Sequence, residues 1–508
     1  MTSGSFPRQP AASSMRFWPT LPKKETGVII GRNLQLPVDR VIQMRDRTMK
    51  ISAKKIPAAL LFLLLSAASA FGARTASADT DLAMASLQLP TAGWAHTHGG
   101  RGGHIIRVTT LSLSGPGSLK EAIEAKGPRI VVFEVGGQID LGESTLHVTE
   151  PYLTVAGQTA PSPGITLIRG KGFAITTHDV IVQHIRIRTG DSGHPKASGW
   201  STDGIRTEDG AFDVIIDHCS LTWATNKIAA VSGSRFTGKT PDDWRNSTSH
   251  RVTLSNDIIA EALSRSSHWK IEHSKGALIH DNTTGVLILR NLFAHDYERS
   301  PLFKGGVHGA IVNNLIFDPG QRAVHYNLIA EEWGTHPYQV GKMSAVGNVL
   351  RAGMSTPPEL AFLEIGGDGD LEYYGHDNIA VDRIGRPLPM FGSYTTTRAK
   401  IIQVAAPPEW PEGLQAIPAR DVQKSVLAGV GARPWDRDYH DARLVADVAE
   451  GRGWIIDSES DVHGNLKQKQ THRAFRLDQW NLDTMVPKQE SLLDSDAKST
   501  TLMVPEGN

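Results

Sequence analysis

A short theme recurs along the middle of this chain: alternating apolar residues, one polar residue, then another apolar one. It reads Val180-Ile-Val-Gln-His184-Ile, Val214-Ile-Ile-Asp-His218-Cys, Val252-Thr-Leu-Ser-Asn256-Asp and Val286-Leu-Ile-Leu-Arg-Asn291-Leu. It continues as Ala310-Ile-Val-Asn-Asn314-Leu, Ser344-Ala-Val-Gly-Asn348-Val and Tyr374-Gly-His-Asp-Asn378-Ile. From His184 to Asn378 the polar position returns after 34, 38, 35, 23, 34 and 30 residues. Periods of this size mark solenoids, whose rungs bury their apolar faces only by stacking on one another. An inward-turning amide survives in such a core when it bonds the backbone and the amides above and below it. The theme therefore predicts a parallel β-helix with Asn256, Asn291, Asn314 and Asn348 inside, and loops of unequal length leaving a constant rung.

Composition narrows the function. Lys and Arg number 53, as do Asp and Glu, so the formal charge is zero and a phosphate-gripping nucleic-acid binder is disfavoured. The 49 glycines suit a fold rich in tight turns, and a single cysteine, Cys219, excludes an internal disulfide.

Residues 1–43 show no periodicity and are expected to lie outside the fold, as a disordered or wrongly assigned extension. Residues 44–78 read as an export signal: a basic stretch from Met44, an apolar run from Ile56 to Phe71, and the tripeptide Ala76-Ser-Ala78, with Ala68-Ser-Ala70 as a second cleavage site. Translation from Met44 or Met49 is the expectation this carries. A membrane anchor is the competing reading, but the run is short and interrupted by Ser66, Ser69 and Gly72. The expected solenoid spans 79–384, and 385–508 is read as a flank packing on it rather than a separate domain. Ser118 with Glu121 predicts a capped helix that closes the first rung; Val422–Val430 and Asp441–Val448 predict short helices in the flank. Segment 232–250 reads as a projecting loop, and 264–275 as a second one, carrying His268, His273 and two lysines, that walls a groove.

Several motifs, in their order, resemble polysaccharide lyase family 1, the pectate lyases. They are Gly99-Gly-Arg-Gly-Gly103, Gly115-Pro-Gly-Ser-Leu119, Ile216-Asp-His-Cys-Ser220 with Trp223-Ala-Thr225, Arg299-Ser-Pro301 with Lys304, and Val430-Gly-Ala-Arg-Pro-Trp-Asp-Arg-Asp438. The resemblance covers about residues 87–460. It implies a right-handed parallel β-helix, secretion, and cleavage of a polyuronate by β-elimination, usually with calcium. It also implies roles: Arg299 as base, Lys275 as a second cation on the substrate carboxylate, Lys304 as a substrate binder and Asp203 as a calcium ligand; Lys227, by its charge, is read as a further substrate binder. Two positions depart from the family. Asn226 stands where many relatives have a calcium-binding Asp, and Lys227 where Glu is common. Replacement of the ion by Lys227 competes with calcium held by Asp203, Glu208 or Asp209.

Read as residues alone, the charges at Arg299 and Lys304 are also compatible with solvated surface pairs. Asp217 and His218 lie within a strand and read as structural hydrogen bonding. Three classes remain open: a lyase acting on an acidic polysaccharide, a glycoside hydrolase using two carboxylates, and an inactive carbohydrate-binding β-helix. A monomer without nucleic-acid or membrane partners is expected.

Overall fold

The computed structural model describes residues 83–395 and 397–493. The expected extension, 1–43, and the whole of the expected export signal, 44–78, lie outside the described residues. No helix among the described residues is long and apolar enough to cross a membrane.

The rungs stack as the repeat predicts. Three sheets of 11, 9 and 10 strands form the solenoid, each complete rung contributing one strand to each sheet. All neighbours in the three sheets pair in parallel except Thr471–His472, which runs antiparallel to Val135–Gly136. The architecture is a right-handed parallel β-helix. Alternation along each strand turns one residue in two inward. In the first sheet Val180, Val214, Val252 and Val286 stand in register as one inner column. Val182, Ile216, Leu254 and Ile288 form the next, and all eight are buried.

The amide column is real but shifted by one residue at its start. Asn291, Asn314, Asn348 and Asn378 form a ladder in which each side-chain Oδ1 accepts from the backbone N–H and the side-chain amide of the rung before, as Asn314 does from Asn291 at 2.9 and 3.1 Å. The rung before Asn291 presents Asp257, not Asn256: the Asp257 N–H donates to Asn291 Oδ1 at 2.8 Å. Asn256 instead occupies the left-handed corner (φ +55°), like His184, His218, Arg290 and Asn313 on other rungs. Each rung has a corner residue followed by an inward residue, and periodicity alone does not say which of two adjacent polar residues turns inward. Asp257 is fully buried and caps the ladder, its Oδ1 accepting from the Cys219 N–H at 2.7 Å. Burial, reinforced by Asp217, pushes its carboxyl well above the usual range.

A helix closes the first rungs, and the flank covers the third sheet. Helix Leu119–Glu124, capped by Ser118 Oγ accepting from the Glu121 N–H at 3.2 Å, sets Leu119, Ala122 and Ile123 into the main core. Glu121 reaches back to the Gly117 N–H at 2.7 Å rather than to Ser118. Strands Phe391–Ser393 and Ile401–Gln403, within the segment read as flank, still add to the sheets. Beyond them, helices Ala419–Gly429 and Tyr439–Glu450 lay Val422, Val426, Leu444 and Val448 on Ile258, Leu292 and Leu315 of the third sheet. Buried Arg186 and Arg188 bind the flank through Asp438 and Asp441 at 2.6–2.8 Å. Segment 232–250 holds a helix, Pro241–Ser247, with a capping box between Thr240 and Asp243 and a buried Trp244.

Candidate active site

On the nine-stranded sheet, strands Asp203–Thr207, Lys227–Val231, Ala277–Ile279, Leu302–Lys304 and Val324–Leu328 are successive neighbours. At or just before their N-terminal ends stand Asp203, Lys227, Lys275, Arg299 and Arg322. Equal position on successive rungs lines them up: Asp203 is in register with Lys227, and Lys275 bridges to Glu298. Ala230, Leu278 and Leu302 form a small apolar cluster of their own, apart from the main core, at matching positions of three of these strands.

One half of the row is centred on Asp203. Lys227 Nζ donates to both its oxygens at 3.0 Å, and Asn226 Nδ2 donates to Oδ1 at 2.9 Å. The Asn226 carbonyl oxygen lies 2.9 Å from His273 Nε2, and His273 stacks on His268 with ring centres 3.9 Å apart. Burial, then the neighbouring His268 and Lys275, depress His273 to about 2, so the ring is neutral. A neutral ring with its hydrogen on Nε2 fits the Asn226 carbonyl and leaves the Asn226 amide to Asp203.

The other half is centred on the buried Glu298. Its carboxylate pairs with Lys275 and with Arg322, and Arg299 Nε lies 3.9 Å away. Burial lowers the Lys275 amine to about 8 against the raising influence of Glu298, with Arg299 and Arg322 adding to the depression. Burial likewise lowers Arg299, where Glu298 and Tyr394 oppose the shift and Arg322 adds to it. Arg299 takes a left-handed backbone (φ +73°), uncommon for a non-glycine residue. Tyr394 closes this end: the Arg322 guanidinium lies 4.3 Å from its ring centre, and its hydroxyl is 3.1 Å from His325 Nδ1. Burial holds His325 at about 3, hence uncharged.

The structure thus brings Asp203, Asn226, Lys227, Lys275 and Arg299 to one face, but not Lys304. Phe303 belongs to the main core, so Leu302 and Lys304 flank it on the outer side, and Lys304 stands at the far end of the short strand. There it pairs with Glu332 and, at 3.5 Å, with Asp281, whose carboxylate also accepts from Arg235 at 2.9 Å and Trp333 at 2.8 Å. The Lys304 ammonium is buried and doubly paired there, outside the contacts of the Glu298 cluster. Arg322 and Glu298 stand in the cluster instead. The signal for Arg322 was present: the 23-residue step from Asn291 to Asn314 also carries Arg299 to Arg322.

The calcium expectation meets a donor set that does not suit it. Calcium takes six to eight oxygens. Both oxygens of Asp203 already accept from an ammonium, the Asn226 amide faces Asp203 with its NH₂, Glu208 pairs with Arg206 at 2.8 Å, and Asp209 sits in a turn (φ +51°). Among the described residues no three His, Cys, Asp or Glu side chains are grouped to hold a metal. Asp217 and His218 belong to the first sheet and its corner, bonded to each other at 2.8 Å and to Ser255 at 2.7 Å, which is the structural role expected of them.

No protein-family model matches the chain. Over 227 residues it is 36% identical to proteins of Emericella nidulans and of Aspergillus terreus, each named probable pectate lyase C. The matched stretch is 44% of this chain and 46% of each of those proteins, so the chain spans about half the length of the curated relatives it matches. Among solved structures, a thermostable pectate lyase aligns with a TM-score of 0.46 at 15% identity, over 68% of this chain and 98% of that one. The major allergen of cedar pollen aligns with a TM-score of 0.45 at 14% identity, over 67% and 92%. A pectate lyase of Bacillus sp. N165 in complex with trigalacturonate aligns at 0.43 and 14%, over 68% and 99%. In sequence the chain therefore resembles proteins named as pectate lyases, in agreement with the motifs it carries.

Proposed function

We propose that this protein is a polysaccharide lyase that cleaves a polyuronate by β-elimination. The observation that carries the reading is the convergence of Arg299, Lys275, Arg322 and Lys227 on one row along the nine-stranded sheet, with Arg299 and the Lys275 amine both depressed. The resemblance to proteins named probable pectate lyase C supports it.

Elimination removes the proton at C5 of the uronate and breaks the bond from C4 to the glycosidic oxygen. The C5–H electron pair becomes the C4–C5 double bond, and the departing oxygen takes up a proton. The difficult species is the enolate-like dianion on the carboxylate, which preplaced cations stabilise. Lys275 and Lys227 fit that role, and Arg322 extends it. Arg299 is the base: arginine stays protonated in water, and only burial among other cations favours its neutral form. A second reading assigns the proton to Lys275, whose depressed amine is the better-matched base near neutral pH. In either case Lys227, rather than calcium, is the cation beside Asp203. Hydrolysis on the same fold is disfavoured because Asp203 and Glu298, the carboxylates of the row, are both engaged by cations. Export before action on an extracellular polymer completes the proposal, and N-terminal sequencing of the exported protein tests it.

The deciding assay incubates the protein with de-esterified and methyl-esterified polygalacturonate and follows ultraviolet absorbance of the unsaturated product. Reducing ends without that absorbance indicate hydrolysis, and neither signal indicates a binding protein.

A further inference from the structure

The loop between Ser264 and Lys275 is bonded at both ends yet presents apolar side chains to water. Arg265 pairs with Glu272 at 2.8 Å across its base, and its N–H donates to Asp457 at 3.0 Å. Ser266 and Ser267 accept from the Ala197 and Gly199 N–H groups at 2.9 Å, and the Ser267 N–H donates to Asp191 at 2.9 Å. Between these anchors, Trp269 is 64% exposed and Ile271 76% exposed. Single exposed apolar residues are ordinary. Two on one well-tied tip, with a lysine between them, are not explained by the packing of the loop.

The tip is joined to the cation row by a stack of rings. Trp269 lies 5.6 Å from His268, inclined at 27° to it; His268 lies 3.9 Å from His273; and His273 bonds Asn226 beside Asp203 and Lys227. The Lys270 N–H donates to His268 Nδ1 at 3.1 Å, which fixes that ring, and Lys270 Nζ is 4.9 Å from the Trp269 ring centre. The exposed indole, with the Lys270 ammonium over it, matches one residue of an acidic sugar polymer: the apolar C–H face of the pyranose against the ring surface that the lysine leaves open, its carboxylate on the lysine.

We propose that Trp269 and Lys270 form an outlying subsite that stacks a uronosyl residue of the polymer, on the Lys227 side of the cation row. This rests on the polyuronate reading above. The occupant is committed by charge, since Lys270, Lys227 and Lys275 all favour an anionic chain, and by continuity with the row through the ring stack.

Calorimetry of hexagalacturonate and trigalacturonate with the wild type and Trp269→Ala is the test, paired with steady-state rates on polygalacturonate. Trp269→Ala weakens the hexamer about tenfold, the usual scale of a stacking contact, and the trimer less, while raising KM and leaving kcat within about twofold. Trp269→Phe restores most of the loss. A merely structural role would instead lower Tm and kcat together. Hexamer binding equal in the wild type and Trp269→Ala overturns the subsite but not the lyase. Trp269-dependent binding without any unsaturated product supports the subsite and overturns the lyase. No binding of either oligomer to the wild type overturns both.

Discussion

Lys227 bonds both carboxylate oxygens of Asp203 at 3.0 Å, so the first of the acidic residues expected to hold a metal is already paired with its neighbour in register. We expect chelators to leave activity unchanged. The double variant Asn226→Asp with Lys227→Glu, which replaces an amide and a cation by two carboxylates, should bind calcium calorimetrically and require it for product formation. Loss of wild-type activity to a chelator, restored by micromolar calcium, would refute this.

Arg299→Lys should lower kcat by about a hundred- to ten-thousand-fold, the usual cost of losing a positioned base, without loss of fold. A flexible ammonium does not reproduce the place of the guanidinium. Circular dichroism with single-turnover rates checks both halves of the statement.

The pH profile separates Arg299 from Lys275. The Lys275 amine loses its proton as pH rises through about 8. If it holds the substrate carboxylate it must be charged, and kcat/KM falls above that pH. Lys275→Arg, permanently charged, should then remove the alkaline fall. A rate that climbs through the same range, and collapses in Lys275→Arg, would make Lys275 the base.

Lys304→Met should act on stability and not on substrate. Removing the ammonium leaves Asp281 and Glu332 short of a partner, and a buried acceptor left wanting costs about 1–3 kcal/mol. Arg235 remains beside both carboxylates, which limits the loss. The expected result is a lower Tm with KM unchanged; a rise in KM at constant Tm would return Lys304 to the substrate site.

Asp257→Asn should stabilise the protein at neutral pH. A carboxyl whose folded pKa is raised holds its proton more tightly when folded. Its contribution is fully present below the unfolded value, near 3.9, and is lost as pH rises through the raised one, at about 1.4 kcal/mol per unit. An amide carries no such penalty and donates as Asn291 does to Leu254 O at 3.0 Å. The two proteins should melt alike near pH 4 and diverge as pH rises.

The solenoid was legible because the pattern of Val180, Val214, Val252 and Val286 repeats along the chain what the register repeats in space. The flank helices were legible from their apolar spacing; the helix at Pro241 was hidden in a short polar insertion anchored by Trp244 and Phe236 alone. What failed to show was register and pairing. Asn256 and Asp257 are adjacent polar residues, and only the left-handed corner decides between them. Lys304 keeps the family's spacing from Arg299, yet Glu332, 28 residues further on, lies against it. A partner contributed by a later loop leaves no trace in the local sequence, whereas the place of Arg322 one rung beyond Arg299 follows from the 23-residue step.

The clamp between Arg188 and Asp438 joins residues 250 positions apart in a molecule whose other contacts run mostly from one rung to the next. Stacking can begin at any rung and spread, but this contact closes only after residue 438 has been made. Until then two guanidiniums lie on the third sheet without their carboxylates. A chain released or cleaved before Asp438 would therefore carry a complete set of rungs and an unfinished outer surface, open to a neighbouring molecule's acidic side chains and prone to misassembly in the interval between synthesis of the last rung and docking of the flank.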